Sequence, residues 1–250
     1  FTCGGTCMYA QEWRKNAPPS PSDALSSTCS ITTFEDITKQ KFSDPTWYQY
    51  SMLGRPTYPE TAPVIIDLNG DGVCDFHTAS HGLALAESAQ VACNNGVTGI
   101  CYELRNVRQR IQFTSENTDS HGSNIVDLDA DGIPDLLIAS GGGLGGMKGK
   151  DPILTENMLL WGKRDTEGNV IFRGGRHEAA AAGLTMRSAR GRFNYILDVN
   201  NDGLLDIFFS TDRPKINALT PGYLFINQGN RTWKKDNVVS EYSTSMLVTD

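Results

Sequence analysis

The stretch Asp127-Leu128-Asp129-Ala130-Asp131-Gly132-Ile133-Pro134-Asp135 sets four carboxylates at alternating and then wider spacing around one glycine. Two further stretches repeat it: Asp67-Leu68-Asn69-Gly70-Asp71-Gly72-Val73-Cys74-Asp75, and Asp198-Val199-Asn200-Asn201-Asp202-Gly203-Leu204-Leu205-Asp206. Together they define the pattern D-x-[DN]-x-D-G-x-x-D. Hard oxygen donors on a sharply turning backbone suit calcium, which takes six to eight oxygens in flexible geometry. The side chains at positions one, three, five and nine are the expected ligands: Asp67, Asn69, Asp71 and Asp75; Asp127, Asp129, Asp131 and Asp135; Asp198, Asn200, Asp202 and Asp206. The carbonyl at position seven (Val73, Ile133, Leu204) adds a fifth.

An EF-hand shares the first six positions but needs a glutamate at position twelve and flanking helices. Position twelve is Thr78, Ile138 and Phe209. The flanks are short β-branched and aromatic runs: Val64-Ile-Ile, Asn124-Ile-Val and Tyr195-Ile-Leu before the loops, Leu136-Leu-Ile and Ile207-Phe-Phe after two of them. Such runs predict strands, so each loop joins the two arms of a hairpin. Asp/Asn/Gly-rich turns without a metal are common between strands, but three copies with matching flanks argue for a dedicated loop.

The formal net charge of −7 over 250 residues is local in origin. Ten of the 29 acidic residues lie in the three loops, leaving fewer acidic residues elsewhere than the 22 basic ones. No long Lys/Arg cluster points to nucleic acid, and no apolar run is long enough to span a membrane. The six cysteines, Cys3, Cys7, Cys29, Cys74, Cys93 and Cys101, all fall in the first 101 residues. Their even number, with loops of this kind, predicts disulfides and an extracellular setting, although six cysteines allow about fifteen pairings. A zinc reading of Cys3 and Cys7 lacks a second ligand pair. Asn230-Arg231-Thr232 is a glycosylation sequon.

Residues 1–33 read as a Cys/Pro-rich extension, and residues 34–250 as repeating β-structure. Thr33–Thr38 alternates as a half-buried strand, and 102–105, 110–113, 157–162, 169–172 and 222–227 are further strand segments. Glu178-Ala-Ala-Ala-Ala-Gly183 predicts a helical turn ended by glycine. The glycine run 141–149 lacks the Gly-Lys-Ser/Thr ending of a phosphate loop and reads as a surface loop. First ligands recur at Asp67, Asp127 and Asp198, with Asp250 in register for a fourth. A period of roughly fifty residues with four strands is the signature of β-propeller blades.

These features resemble the FG-GAP/VCBS repeat family, the calcium-loop propellers of integrin α-subunit heads and many secreted proteins. The order Ala182-Gly-Leu184, then the metal loop, then Leu224-Phe-Ile-Asn-Gln-Gly-Asn-Arg-Thr-Trp233 is most similar to its cartilage acidic protein-like branch. The literal integrin "FG" and "GAP" signatures are absent. The resemblance implies an all-β fold of partial propeller blades at about 62–113, 114–188 and 189–244, with a fourth beginning at 245. Because open blade edges are hazardous, further blades are expected beyond Asp250 or from a neighbouring subunit. It also implies a non-catalytic, calcium-binding extracellular adhesion or protein-interaction module. Two other readings remain: a lectin-like or polysaccharide-processing propeller using Trp13, Trp47, Trp161 or Trp233, and a structural subunit of an extracellular fibre or matrix. His77, His81, His121 and His177 form no hydrolase or metalloprotease motif.

Overall fold

A computed structural model of the chain describes residues 64–79, 83–92, 100–114, 120–141, 156–186, 191–211 and 222–236. The extension 1–33, the 33–38 strand, the glycine run beyond Gly141 and the segment 245–250 lie outside these residues.

The described chain is mostly β-structure, in three sheets. The first runs β1 (Val64–Ile66), β2 (Asp75–Ala79), β3 (Leu83–Ala92) and β4 (Ile100–Asn106), each strand hydrogen-bonded to the next. A 3-10 turn (Arg108–Arg110) then leads into β5 (Ile111–Phe113). The second sheet holds β6 (Ser120–Val126), β7 (Asp135–Ser140), β8 (Met158–Arg164) and β9 (Val170–Gly175), followed by helix α1 (Arg176–Ala181). The third repeats the meander with β10 (Gly191–Leu197), β11 (Asp206–Thr211), β12 (Tyr223–Asn227) and β13 (Trp233–Lys235).

The three loops close identically. Ile66 faces Asp75, Val126 faces Asp135 and Leu197 faces Asp206 across antiparallel pairs, so every loop spans the same two positions of its hairpin. The hairpin expectation therefore holds in all three copies. Position six (Gly72, Gly132, Gly203) has φ of +82°, +85° and +89°, a backbone conformation that glycine adopts without strain.

Packing explains why the strand after the second loop is apolar at every position. Leu136, Leu137, Ile138 and Ala139 are all fully buried. Alternate side chains of a strand point to opposite faces. Leu136 and Ile138, with Met158 and Leu160, join one core with Ile66 and Leu85 of the first sheet and Val107 just after it. Leu137, Ala139 and Leu159 join another with Ile207, Phe209 and Phe225 of the third. The middle sheet is thus covered on both faces, each fully buried Leu or Ile contributing about 1.5–3 kcal/mol. The Phe209 and Phe225 rings meet edge to face at 5.7 Å.

The first strands of neighbouring units run close together. A Cβ added at Gly122 on β6 would lie 2.4 Å from the Arg192 carbonyl on β10. Asn124 donates to the Asn194 carbonyl at 2.6 Å and to its side-chain oxygen at 2.5 Å. At the far end of these strands from the loops, Arg192 Nη1 lies 2.6 Å from His121 Nε2, which lies 3.0 Å from the Gly141 carbonyl.

One strand departs from its place in the sequence order. Residues 111–113 fall at the end of the first unit, yet β5 pairs in parallel with β9 and forms the outer edge of the second sheet. Nearby, Arg110 pairs with Glu87 of β3 and donates to Asn169 before β9 at 3.0 Å, tying the two sheets. The expected 102–105, 157–162, 169–172 and 222–227 strands are present, as is the helical turn, whose chain reverses at Gly183 with φ +83°.

Candidate metal centre

In each loop the backbone is wrapped around the carboxylate of position one. Gly72, Gly132 and Gly203 each donate to one oxygen of Asp67, Asp127 and Asp198 at 2.9 Å. The other oxygen accepts from Gly70 at 2.8 Å, from Asp131 at 3.1 Å and from Asp202 at 3.1 Å. Position five accepts from the position-seven N–H of Val73, Ile133 and Leu204 at 2.8 to 2.9 Å.

Position nine does more than its spacing indicates. Asp75, Asp135 and Asp206 are at most 1% exposed. One oxygen of each accepts the position-two N–H, from Leu68, Leu128 and Val199 at 2.9 to 3.0 Å. The other accepts an N–H from the third strand of the unit or its end: Ser88 at 2.8 Å, Gly162 at 2.8 Å and Asn227 at 2.7 Å. This carboxylate bolts the loop to its own sheet. The pattern expected four ligands with equal standing; the structure gives the ninth position a separate structural bond set.

Burial has an electrostatic consequence. Desolvation pushes Asp135 up to about 7, outweighing its bonds from Gly162 and Leu128, and the charges of Asp129 and Asp131 push the same way. Asp75 is raised to about 6, again chiefly by burial. Asp127 is raised for the same reason. Carboxylates held this way lack compensating positive charge, which a divalent cation would supply.

Among the described residues, Asp127, Asp129 and Asp135 bring carboxylate oxygens within 4.8 Å of one another. A set of hard oxygens at that separation fits a calcium-type ion. Asp131 lies outside this trio, turned toward Ile133 N–H and Arg231. In the first and third loops position three is an amide, Asn69 and Asn200, in place of Asp129. There the position-three amide bonds the position-five carboxylate instead, Asn69 to Asp71 at 3.1 Å and Asn200 to Asp202 at 2.8 Å.

Arg231 is the residue sequence reasoning missed. It sits in the turn between β12 and β13, where both Asn230 and Arg231 have positive φ, as in a type I′ hairpin turn. Its Nη2 reaches the second loop, 2.5 Å from Asp129 Oδ2 and 3.3 Å from Asp131 Oδ2. Its guanidinium also lies 4.6 Å from the Trp161 ring centre. A cleft of about 510 Å³ opens here, lined by Asp127, Asp129, Asp131, Leu204, Asn227 and Arg231 among others. The one available signal was the extra charge of Asp129 where the other loops carry asparagine.

The remaining expected residues are placed as follows. Asn230 of the sequon is exposed in that same turn. Cys101 is buried on β4, Cys74 is half-buried just before β2, and Cys3, Cys7, Cys29 and Cys93 lie outside the described residues. Trp233 is buried and donates its indole N–H to the Leu205 carbonyl at 2.9 Å. Among the described residues, no helix is long and apolar enough to cross a membrane. Comparison of the sequence with protein-family models and with curated proteins finds no match.

Proposed function

We propose that the chain contributes propeller blades of FG-GAP/VCBS type to a calcium-binding, non-catalytic extracellular module for adhesion or protein interaction. The observation that carries this reading is the threefold identity of the loops. Each has the same hairpin register, the same bond from the position-six glycine to position one and the same buried bolt at position nine. The close approach of β6 and β10, and a middle sheet covered on both faces, fit blades arranged about an axis.

A bound divalent ion supplies the positive charge that the loop carboxylates lack. The residues at positions one, three, five and nine hold it, and position nine passes the constraint to the sheet. On this reading the ions are structural, and partner recognition falls to loops at the blade ends, a common division on rigid scaffolds. Disulfides among the six cysteines and a glycan at Asn230 belong to the same extracellular proposal. Trp161 is packed under Arg231 and Trp233 is buried, so neither supports the lectin-like reading.

Thermal unfolding with calcium and with chelator tests the proposal. Free calcium at about a hundredfold its dissociation constant would stabilise the fold by about 2.7 kcal/mol per site. A melting temperature indifferent to chelator would sink it.

A further inference from the structure

We propose that Arg231 is a resident counter-cation of the second loop, which a divalent ion must displace, so that filling this loop breaks the ion pair between it and the β12–β13 turn of the third sheet. The inference rests on the calcium reading above and concerns how one of its sites is regulated.

The argument begins with an exchange of donors. In the first and third loops the position-three asparagine amide bonds the position-five carboxylate from within the loop. Asp129 in the second loop has no amide to give, and two adjacent carboxylates repel. The missing donor comes from Arg231, one hundred residues away in sequence, which faces both Asp129 Oδ2 and Asp131 Oδ2.

The same oxygen is the one a metal needs. Within the trio Asp127, Asp129 and Asp135, both oxygens of Asp127 and both of Asp135 accept backbone N–H groups. Asp129 Oδ1 accepts from Asp131 N–H at 3.1 Å. Asp129 Oδ2 makes no hydrogen bond of good geometry, and the Asp129 side chain is only 4% exposed. Among the described residues, the Arg231 charge is what holds it. A calcium ion would sit about 2.3–2.6 Å from such an oxygen, in the place the guanidinium fills. Like charges at that distance repel, so ion and guanidinium exclude each other. The displaced side chain, 48% exposed, keeps the Trp161 face as its seat.

Calcium titration of the full chain by calorimetry, with intrinsic fluorescence in parallel, tests this. Trp161→Phe assigns the fluorescence change that reports the second loop. Removing an ion pair whose guanidinium is half-exposed and seated on an aromatic face, as in Arg231→Gln, should tighten that site about tenfold. The Trp161-dependent transition should move to lower calcium by the same factor, with the number of sites unchanged. Asp129→Asn restores the amide of the other loops and leaves Arg231 only the 3.3 Å contact with Asp131 Oδ2, so in that background Arg231→Gln should shift the site by much less than tenfold. Calcium binding that is intact in the wild type and equal or weaker at this site in Arg231→Gln overturns the inference while leaving the calcium reading standing. A wild-type chain that binds no calcium at millimolar concentration overturns both.

Discussion

Gly183 stands directly against Trp233: a Cβ on Gly183 would lie 2.2 Å from the Trp233 carbonyl oxygen. Trp233 N–H in turn donates to the Ala182 carbonyl at 2.8 Å, so the turn after α1 and the last strand of the third sheet share one joint. Gly183→Ala would combine that clash with a φ of +83° that alanine adopts only at a cost. The expected loss is about 3 kcal/mol in denaturant unfolding. An alanine variant as stable as wild type would mean that the two units meet differently in solution.

Asp135→Ala removes two acceptors at once and leaves the buried N–H groups of Leu128 and Gly162 without partners. Each unsatisfied buried donor costs about 1–3 kcal/mol, so a loss of about 2–6 kcal/mol is expected even in chelator. If the variant were destabilised only when calcium is present, position nine would be a ligand and not also a bolt.

Asn124 and Asn194 join the first strands of the second and third units through their side chains. A double-mutant cycle of Asn124→Ala and Asn194→Ala should give a coupling of about 1 kcal/mol. Purely additive effects would place the seam elsewhere.

His77 is fully buried, and desolvation lowers it from 6.5 to about 4. The unfolded chain therefore takes up a proton between those values that the folded chain refuses, and stability falls as pH drops from 6.5 toward 4. The loss is about 3 kcal/mol. Asp75 and Asp135 act with opposite sign in the metal-free protein. Raised from 3.8 to about 6 and about 7, they keep protons in the fold that the unfolded chain has released, so their contribution falls as pH rises through those values. Comparing His77→Gln with wild type at each pH isolates the histidine: the difference should shift by about 3 kcal/mol between pH 7 and 4. A constant difference would show that His77 is reached by water.

The hairpins were readable because pattern, turn glycine and flanking strands are all local, within about a dozen residues. The second bond of each position-nine carboxylate was not, since Asp135 meets Gly162 across β7 and β8 and Asp75 meets Ser88 across β2 and β3. Nor was the reach of Arg231 to Asp129, which depends on how one sheet stacks against another. The run Leu136-Leu-Ile was legible as a strand, but the two cores that cover it come from sheets distant in sequence. Strand 111–113 had the alternation of a strand, but local alternation says nothing about which sheet accepts it.

That strand has a practical meaning for anyone who would take the chain apart. With β5 as the outer edge of the second sheet, the covalent border between the first two units and their physical border do not coincide. A piece starting at residue 114 would strip β9 of its neighbour and bare its main-chain groups, whereas one starting before Arg108 would carry its own hem. The second unit, on this arrangement, is finished by thread spun in the one before it.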